Sequence, residues 1–210
     1  MFRELSTQEI VRYLFYICLG CIIIFSVYSA YVKNSTPYRE KKIIAFGDSL
    51  VYGIGSQDSN DFPSQVSRKL AMSIENMGIP GETTALALLR LQEVLDKKPD
   101  IVIVLLGGND ALQSVNEEET FANLKTIITK IKENGGDVLL LGIRGRGILT
   151  DPYQTRFKIL AREMKVPLVP NVLDGLFGNN LYMYDAVHPN NVGYGKIADK
   201  VYEKLVTSFW

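Results

Sequence analysis

Apolar residues along the chain fall into three patterns. From Tyr13 to Val32 they run for 20 residues without a charge, Asn, Gln or Pro. Further on come short aliphatic runs, Ile43–Phe46, Ile101–Leu106, Val138–Ile143 and Pro167–Val169, each of strand length and without alternation, which predicts strands buried on both faces. Between these runs the apolar spacing is helical. Phe62 to Met77 carries Phe62, Val66, Leu70 and Ile74 on one face with Pro63 in its first turn, and a short strand near Ser73–Asn76 competes for its end. Thr84 to Leu95 presents Leu88, Leu91 and Leu95 before Pro99 stops it, and Glu117–Glu133, Pro152–Met164 and Asn190–Phe209 complete the helices. Strands alternating with helices predict an α/β fold, a three-layer α/β/α sandwich around a parallel sheet. Right-handed crossovers then bring the C-terminal ends of the strands to one edge.

The uninterrupted run is a different object. As a helix, 20 residues reach about 30 Å, the thickness of a bilayer's hydrocarbon, and Tyr13, Tyr16, Tyr28 and Tyr31 gather at its ends like an interfacial belt. This predicts a tail over 1–12, a transmembrane anchor over 13–32, a linker over 33–41 and a globular domain over 42–210. A cleaved signal peptide is the rival, but the run exceeds an ordinary signal core and no small-x-small site follows it. Leu19-Gly20-Cys21 is faintly like a lipoprotein cleavage site, yet Cys18 stands where an aliphatic residue belongs and the apolar run continues past Cys21. For orientation, Arg3 and Arg12 precede the span while Lys33, Arg39, Lys41 and Lys42 follow it, a balance that favours a cytoplasmic domain. A short tail before a first apolar segment behaves more often as a signal anchor, and the expectation is an extracytoplasmic domain.

Charge and composition narrow the chemistry. Lys plus Arg equals Asp plus Glu at 23 each, so no basic surplus points to nucleic acid. Cys18 and Cys21, both in the apolar run, are the only cysteines, and His188 is the only histidine. The domain therefore has no disulfide framework, no Cys-based zinc site and no multi-histidine metal site of its own. Any imidazole base is His188. No Walker pattern occurs and Gly53-x-Gly55 is too short for a dinucleotide fingerprint, which argues against a flavodoxin-like nucleotide binder.

Four segments can carry chemistry. Ser49, in Gly47-Asp48-Ser49, follows the first strand at the edge where such sheets bind ligands, although Gly-Asp-Ser is also ordinary turn chemistry. Asn76 to Thr84, N-M-G-I-P-G-E-T-T, reads as a tight loop feeding a helix N-terminus, with free N–H groups for an anion or simply a cap. Gly107-Gly108-Asn109-Asp110 follows the aliphatic strand; Asn109 can donate through its amide, and Asp110 can cap the next helix. In Asp185-Ala186-Val187-His188-Pro189-Asn190 the carboxylate can reach Nδ1 and leave Nε2 free to accept a proton, with Pro189 starting the last helix.

In order and context these segments resemble the SGNH (GDSL-type) hydrolase superfamily, most closely its thioesterase, lysophospholipase and arylesterase branch, from about Lys42 to the C-terminus. The resemblance implies a flavodoxin-like sheet and places the four residues of the family on Ser49, Gly81, Asn109 and His188, with Asp185 completing a Ser-His-Asp triad. It implies an oxyanion hole formed by the Ser49 and Gly81 N–H groups and the Asn109 amide. The implied reaction is hydrolysis of an ester or thioester through an acyl-enzyme, on a small-molecule or lipid acyl ester, without cofactor or metal. After the fourth strand the chain reads G-I-R-G-R-G-I-L-T-D-P where that branch more often has an Arg-Leu-Pro segment. Arg144 and Arg146 are candidates to meet an anionic part of a substrate, or are solvated loop residues. Leu173 to Tyr184 forms an apolar wall beside His188 or packs its own loop. Alternatives to the acyl esterase are an O-acetyl glycan deacetylase and a non-catalytic binding module of the same fold.

Overall fold

A computed structural model of the chain describes residues 7–34, 41–145 and 152–210. The chain parts into two units, one within residues 1–40 and one over Lys41–Trp210. In the first, α1 (Thr7–Asn34) is a single helix. Its stretch Thr7–Ser29, 23 residues, is long and apolar enough to cross a membrane, and none of its described side chains is buried. The helix thus begins ahead of the predicted span. Tyr13, Tyr16 and Tyr28 are exposed on it; the side chain of Tyr31 and linker residues 35–40 lie outside the described residues.

In the second unit, β1 (Ile43–Gly47) leads through α2 (Ser49–Tyr52) and α3 (Phe62–Leu70) to β2 (Ile74–Gly78). Next come α4 (Thr84–Leu89), α5 (Leu91–Asp96), β3 (Ile101–Leu105), α6 (Gly108–Leu112) and α7 (Glu117–Glu133). The chain ends with β4 (Asp137–Leu141), α8 (Pro152–Met164), β5 (Leu168–Val169) and α9 (Asn191–Phe209). The strands form one parallel sheet in the order β2-β1-β3-β4-β5. In α3 and α9 one helical layer packs together, and α4, α7 and α8 form another. Right-handed crossovers put these layers on opposite faces. Strands β1 and β3 are buried throughout, as a sheet covered on both faces requires. The order reverses between β1 and β3, which makes the C-terminal ends of these two strands the switch point where such sheets open a crevice.

Several predicted boundaries move, each for a local reason. The stretch Phe62–Met77 is not one helix: Ala71, at φ 52, caps α3 in the left-handed region and the chain turns into edge strand β2. Thr84–Leu95 is two helices broken at Arg90, whose φ of −109 and ψ of 7 leave the helical region. Pro189 does not start the last helix. It pairs with Met183 in an antiparallel bridge, and Asn190 caps α9 by accepting from Val192 N at 3.0 Å and Gly193 N at 3.1 Å.

Candidate active site

Ser49 owes its position to Gly47 and Asp48. A Cβ on Gly47 would lie 2.1 Å from the Leu105 carbonyl and 2.6 Å from Val51 Cγ2; only glycine lets the end of β1 run so close to β3. The requirement at Gly47 is close approach to the neighbouring strand. Asp48 then caps α2, its Oδ1 accepting from Leu50 N at 3.0 Å. Ser49 is thereby the first residue of a helix, where N–H groups lack intrahelical partners.

His188 reaches this serine from the segment ahead of α9. Its turn is held by Asp185, whose Oδ1 accepts from Val187 N and His188 N, both at 2.7 Å. The other carboxylate oxygen lies 2.8 Å from His188 Nδ1. His188 Nε2 lies 3.1 Å from Ser49 Oγ. Since Asp185 can only accept when ionised, Nδ1 carries the proton and Nε2 is left as acceptor for the serine hydroxyl. Hydrogen bonding from the imidazole, and then from the His188 N–H, lowers the Asp185 pKa to about 2.

Across the crevice, Gly81 stands in the loop after β2 at φ 81, with nothing within 4 Å of where a Cβ would be. Asn109, in α6, donates from Nδ2 to the Glu82 carbonyl at 2.9 Å and faces Asp48 Oδ2 at 3.4 Å. One amide hydrogen is thus committed to the backbone beside Gly81, and the other meets only a long contact. Asp110 turns away. Its carboxylate accepts from Thr84 N at 3.0 Å and from Thr84 Oγ1 at 2.5 Å; it ties down the start of α4 instead of capping the next helix.

Asp48 is buried beneath this site, and burial, reinforced by the nearby Glu82 and Asp110 carboxylates against the opposing Leu50 N–H bond, raises its pKa to about 7. Burial thus weakens the tendency of this carboxyl to carry a charge beside Ser49 and Asn109. Beside that space opens a cavity of about 400 Å³, walled by Gly108, Leu112, Ile143, Leu173, Phe177 and Val187. The predicted wall is thus partly right: Leu173 and Leu176 are buried, while Phe177 turns outward to the cavity and Tyr184 to the surface. Arg144 borders the same cavity; Arg146 lies outside the described residues. Among the described residues no three His, Cys, Asp or Glu side chains converge as a metal cluster.

The structure therefore brings Ser49, His188 and Asp185 into one chain of contacts, with Asn109 and the loop of Gly81 facing it. Sequence reasoning passed over Asp48, Glu82 and Arg90. Asp48 was visible only as a turn residue, because burial is a tertiary property. Glu82 and Arg90 form an ion pair across the break between loop and helices, and no helical spacing announces it.

Known proteins share the sequence pattern and fold of this chain. The GDSL-like Lipase/Acylhydrolase family matches residues 45–196. An arylesterase of Vibrio mimicus is 28% identical over 197 residues, covering 88% of this chain and 98% of that protein. Thioesterase 1/protease 1/lysophospholipase L1 of Escherichia coli K12 is 30% identical over 172 residues, covering 78% and 82%. The crystal structure of TesA superposes with a TM-score of 0.73 at 28% identity, covering 79% of this chain and 98% of that one. The chain belongs to the GDSL-like lipase/acylhydrolase family and is a hydrolase of ester bonds.

Proposed function

We propose that the chain is a membrane-anchored serine esterase that hydrolyses fatty acyl esters or thioesters through an acyl-enzyme on Ser49. The observation that carries this is the position of its sole imidazole, 3.1 Å from the Ser49 hydroxyl on one side and 2.8 Å from the Asp185 carboxylate on the other. In this reading His188 Nε2 takes the Ser49 proton as Oγ attacks the acyl carbon. Asp185 holds the ring and stabilises the imidazolium. The oxyanion of the tetrahedral intermediate is met by the Ser49 and Gly81 N–H groups and the free hydrogen of the Asn109 amide. His188 then returns the proton to the leaving alkoxide or thiolate, the acyl group stays on Ser49, and a water activated by the same imidazole releases it as the acid.

The cavity supports an acyl chain longer than acetyl, since its walls are mostly apolar and it begins at Gly108, next to Asn109. That favours fatty acyl substrates over O-acetyl glycans. Arg144, at the same cavity, is the candidate to meet a charged group. Ser49→Ala tests the reading: hydrolysis of a p-nitrophenyl ester should vanish while the far-UV spectrum is retained. A variant that keeps its rate would refute the nucleophile. A series of esters from acetyl to dodecanoyl tests the cavity, with kcat/KM expected to rise beyond acetyl.

The apolar helix α1 supports a membrane anchor, and in this reading it is uncleaved and the domain lies on the extracytoplasmic side. A membrane-impermeant fluorophosphonate should label intact cells as fully as lysed ones. Labelling only after lysis would place the domain on the other side.

A further inference from the structure

The floor of the crevice holds one cation that the hydrolytic steps do not use. Arg90 sits at the break between α4 and α5, and the break lets its side chain turn back beneath the loop of Gly81. Nε and Nη2 each donate to one oxygen of the Glu82 carboxylate at 2.5 Å. Nη2 also donates to the Met77 carbonyl at 2.9 Å and to the Gly47 carbonyl at 3.4 Å. The guanidinium carbon lies 4.5 Å from the centre of the Phe46 ring. The Arg90 and Glu82 side chains are only 12% and 4% exposed.

Those partners belong to different parts of the site. Gly47 precedes Asp48-Ser49. Met77 stands near the end of β2, just ahead of the Gly81 loop. Glu82 follows Gly81, and its carbonyl takes the Asn109 amide at 2.9 Å. One guanidinium thus joins the serine strand to the Gly81 loop and, through the Glu82 backbone, to Asn109.

We infer that Arg90 is a positioning residue for the oxyanion site, holding the Gly81 N–H and the Asn109 amide at a fixed distance from Ser49. The inference rests on the reading above, in which those two groups donate to the oxyanion. Gly81 has open space where a Cβ would be, so no side-chain packing holds it directly; Glu82 ties its loop to Arg90, beside the bond from Ile79 N to the Gly47 carbonyl at 2.9 Å. Asn109 can present one hydrogen to the crevice only while the other is held by the Glu82 carbonyl. A buried carboxylate that loses its cation moves toward water, and Glu82 would carry both donors with it. Lysine keeps the charge but not the planar two-pronged grip.

The test uses the full-length chain in detergent with a p-nitrophenyl ester. Arg90→Lys is compared with wild type, Asn109→Ala and the pair of both substitutions. A second variant, Glu82→Gln with Arg90→Gln, removes both charges and strands no buried carboxylate; it takes the same place in the comparison if Arg90→Lys does not fold. For Arg90→Lys, kcat should fall by about 10- to 100-fold, up to the loss of one oxyanion donor. KM should stay within about threefold, and the acid limb of the pH profile should not move, because the imidazole is untouched. In the Asn109→Ala background the added loss should be several-fold smaller than in wild type, because only the Gly81 donor is left to displace. A purely structural ion pair would lower the melting temperature without changing kcat per folded molecule, or its losses would multiply with Asn109→Ala; either result overturns the inference. A Ser49→Ala control separates the levels. If it stays active, the catalytic reading fails and this inference with it; if it is inactive while the Arg90 and Asn109 losses multiply, only the role of Arg90 fails.

Discussion

At the scale of single residues, the site consists of groups whose neighbours decide their protonation. Asp185 is held to a pKa of about 2 by the imidazole and backbone N–H groups that it accepts from, so it stays ionised near neutral pH. Asp48 is the opposite case: burial lifts it from 3.8 to about 7. The folded chain keeps that proton when the unfolded chain has lost it, so the fold is favoured at low pH and this stabilisation fades as pH rises from about 4 through 7. Asp48→Asn keeps an acceptor for Leu50 N and removes the titration. The wild type should therefore lose melting temperature relative to Asp48→Asn between pH 5 and pH 8; parallel curves would contradict the burial effect. If Asn109 donates to the oxyanion, as proposed, Asn109→Ala should lower kcat by about 10²–10³ with little change in KM. A rise in KM at constant kcat would make it a ground-state contact instead.

At the scale of elements, the strands were legible because fully buried parallel strands are aliphatic runs, and Ile101–Leu106 could hardly be read otherwise. Helix ends were less legible. The left-handed turn at Ala71 and the break at Arg90 occur with no Gly or Pro that a reader could see. The segment before α9 shows how a cap supports chemistry. Asn190 accepts from two N–H groups of α9 and donates from Nδ2 to the Leu181 carbonyl at 3.1 Å, fastening the loop of His188 to the helix. Asn190→Ala should cost about 1 kcal/mol in urea denaturation, the usual loss for a helix cap; a loss within error would show the loop to be held by the Met183–Pro189 bridge alone.

At the scale of the molecule, the chain divides into an apolar helix and a domain with its own core. Ser49, Asp185 and His188 could be picked out in the sequence because the chain offers one histidine and a strand-end Gly-Asp-Ser. The Glu82–Arg90 ion pair could not, since its partners lie in a loop and at a helix break that no spacing relates. A protein starting at Lys41 should fold and hydrolyse a soluble ester with kcat/KM within about twofold of the full chain, and should no longer sediment with membranes; a large loss of activity would show that the helix contributes to the site. The most direct test is to quench the enzyme during turnover of a slowly deacylating ester and map the acyl group by peptide mass spectrometry. The acyl mass should appear on the peptide containing Ser49 and be absent in Ser49→Ala. Rapid hydrolysis with the acyl group on another residue, or on none, would contradict the account.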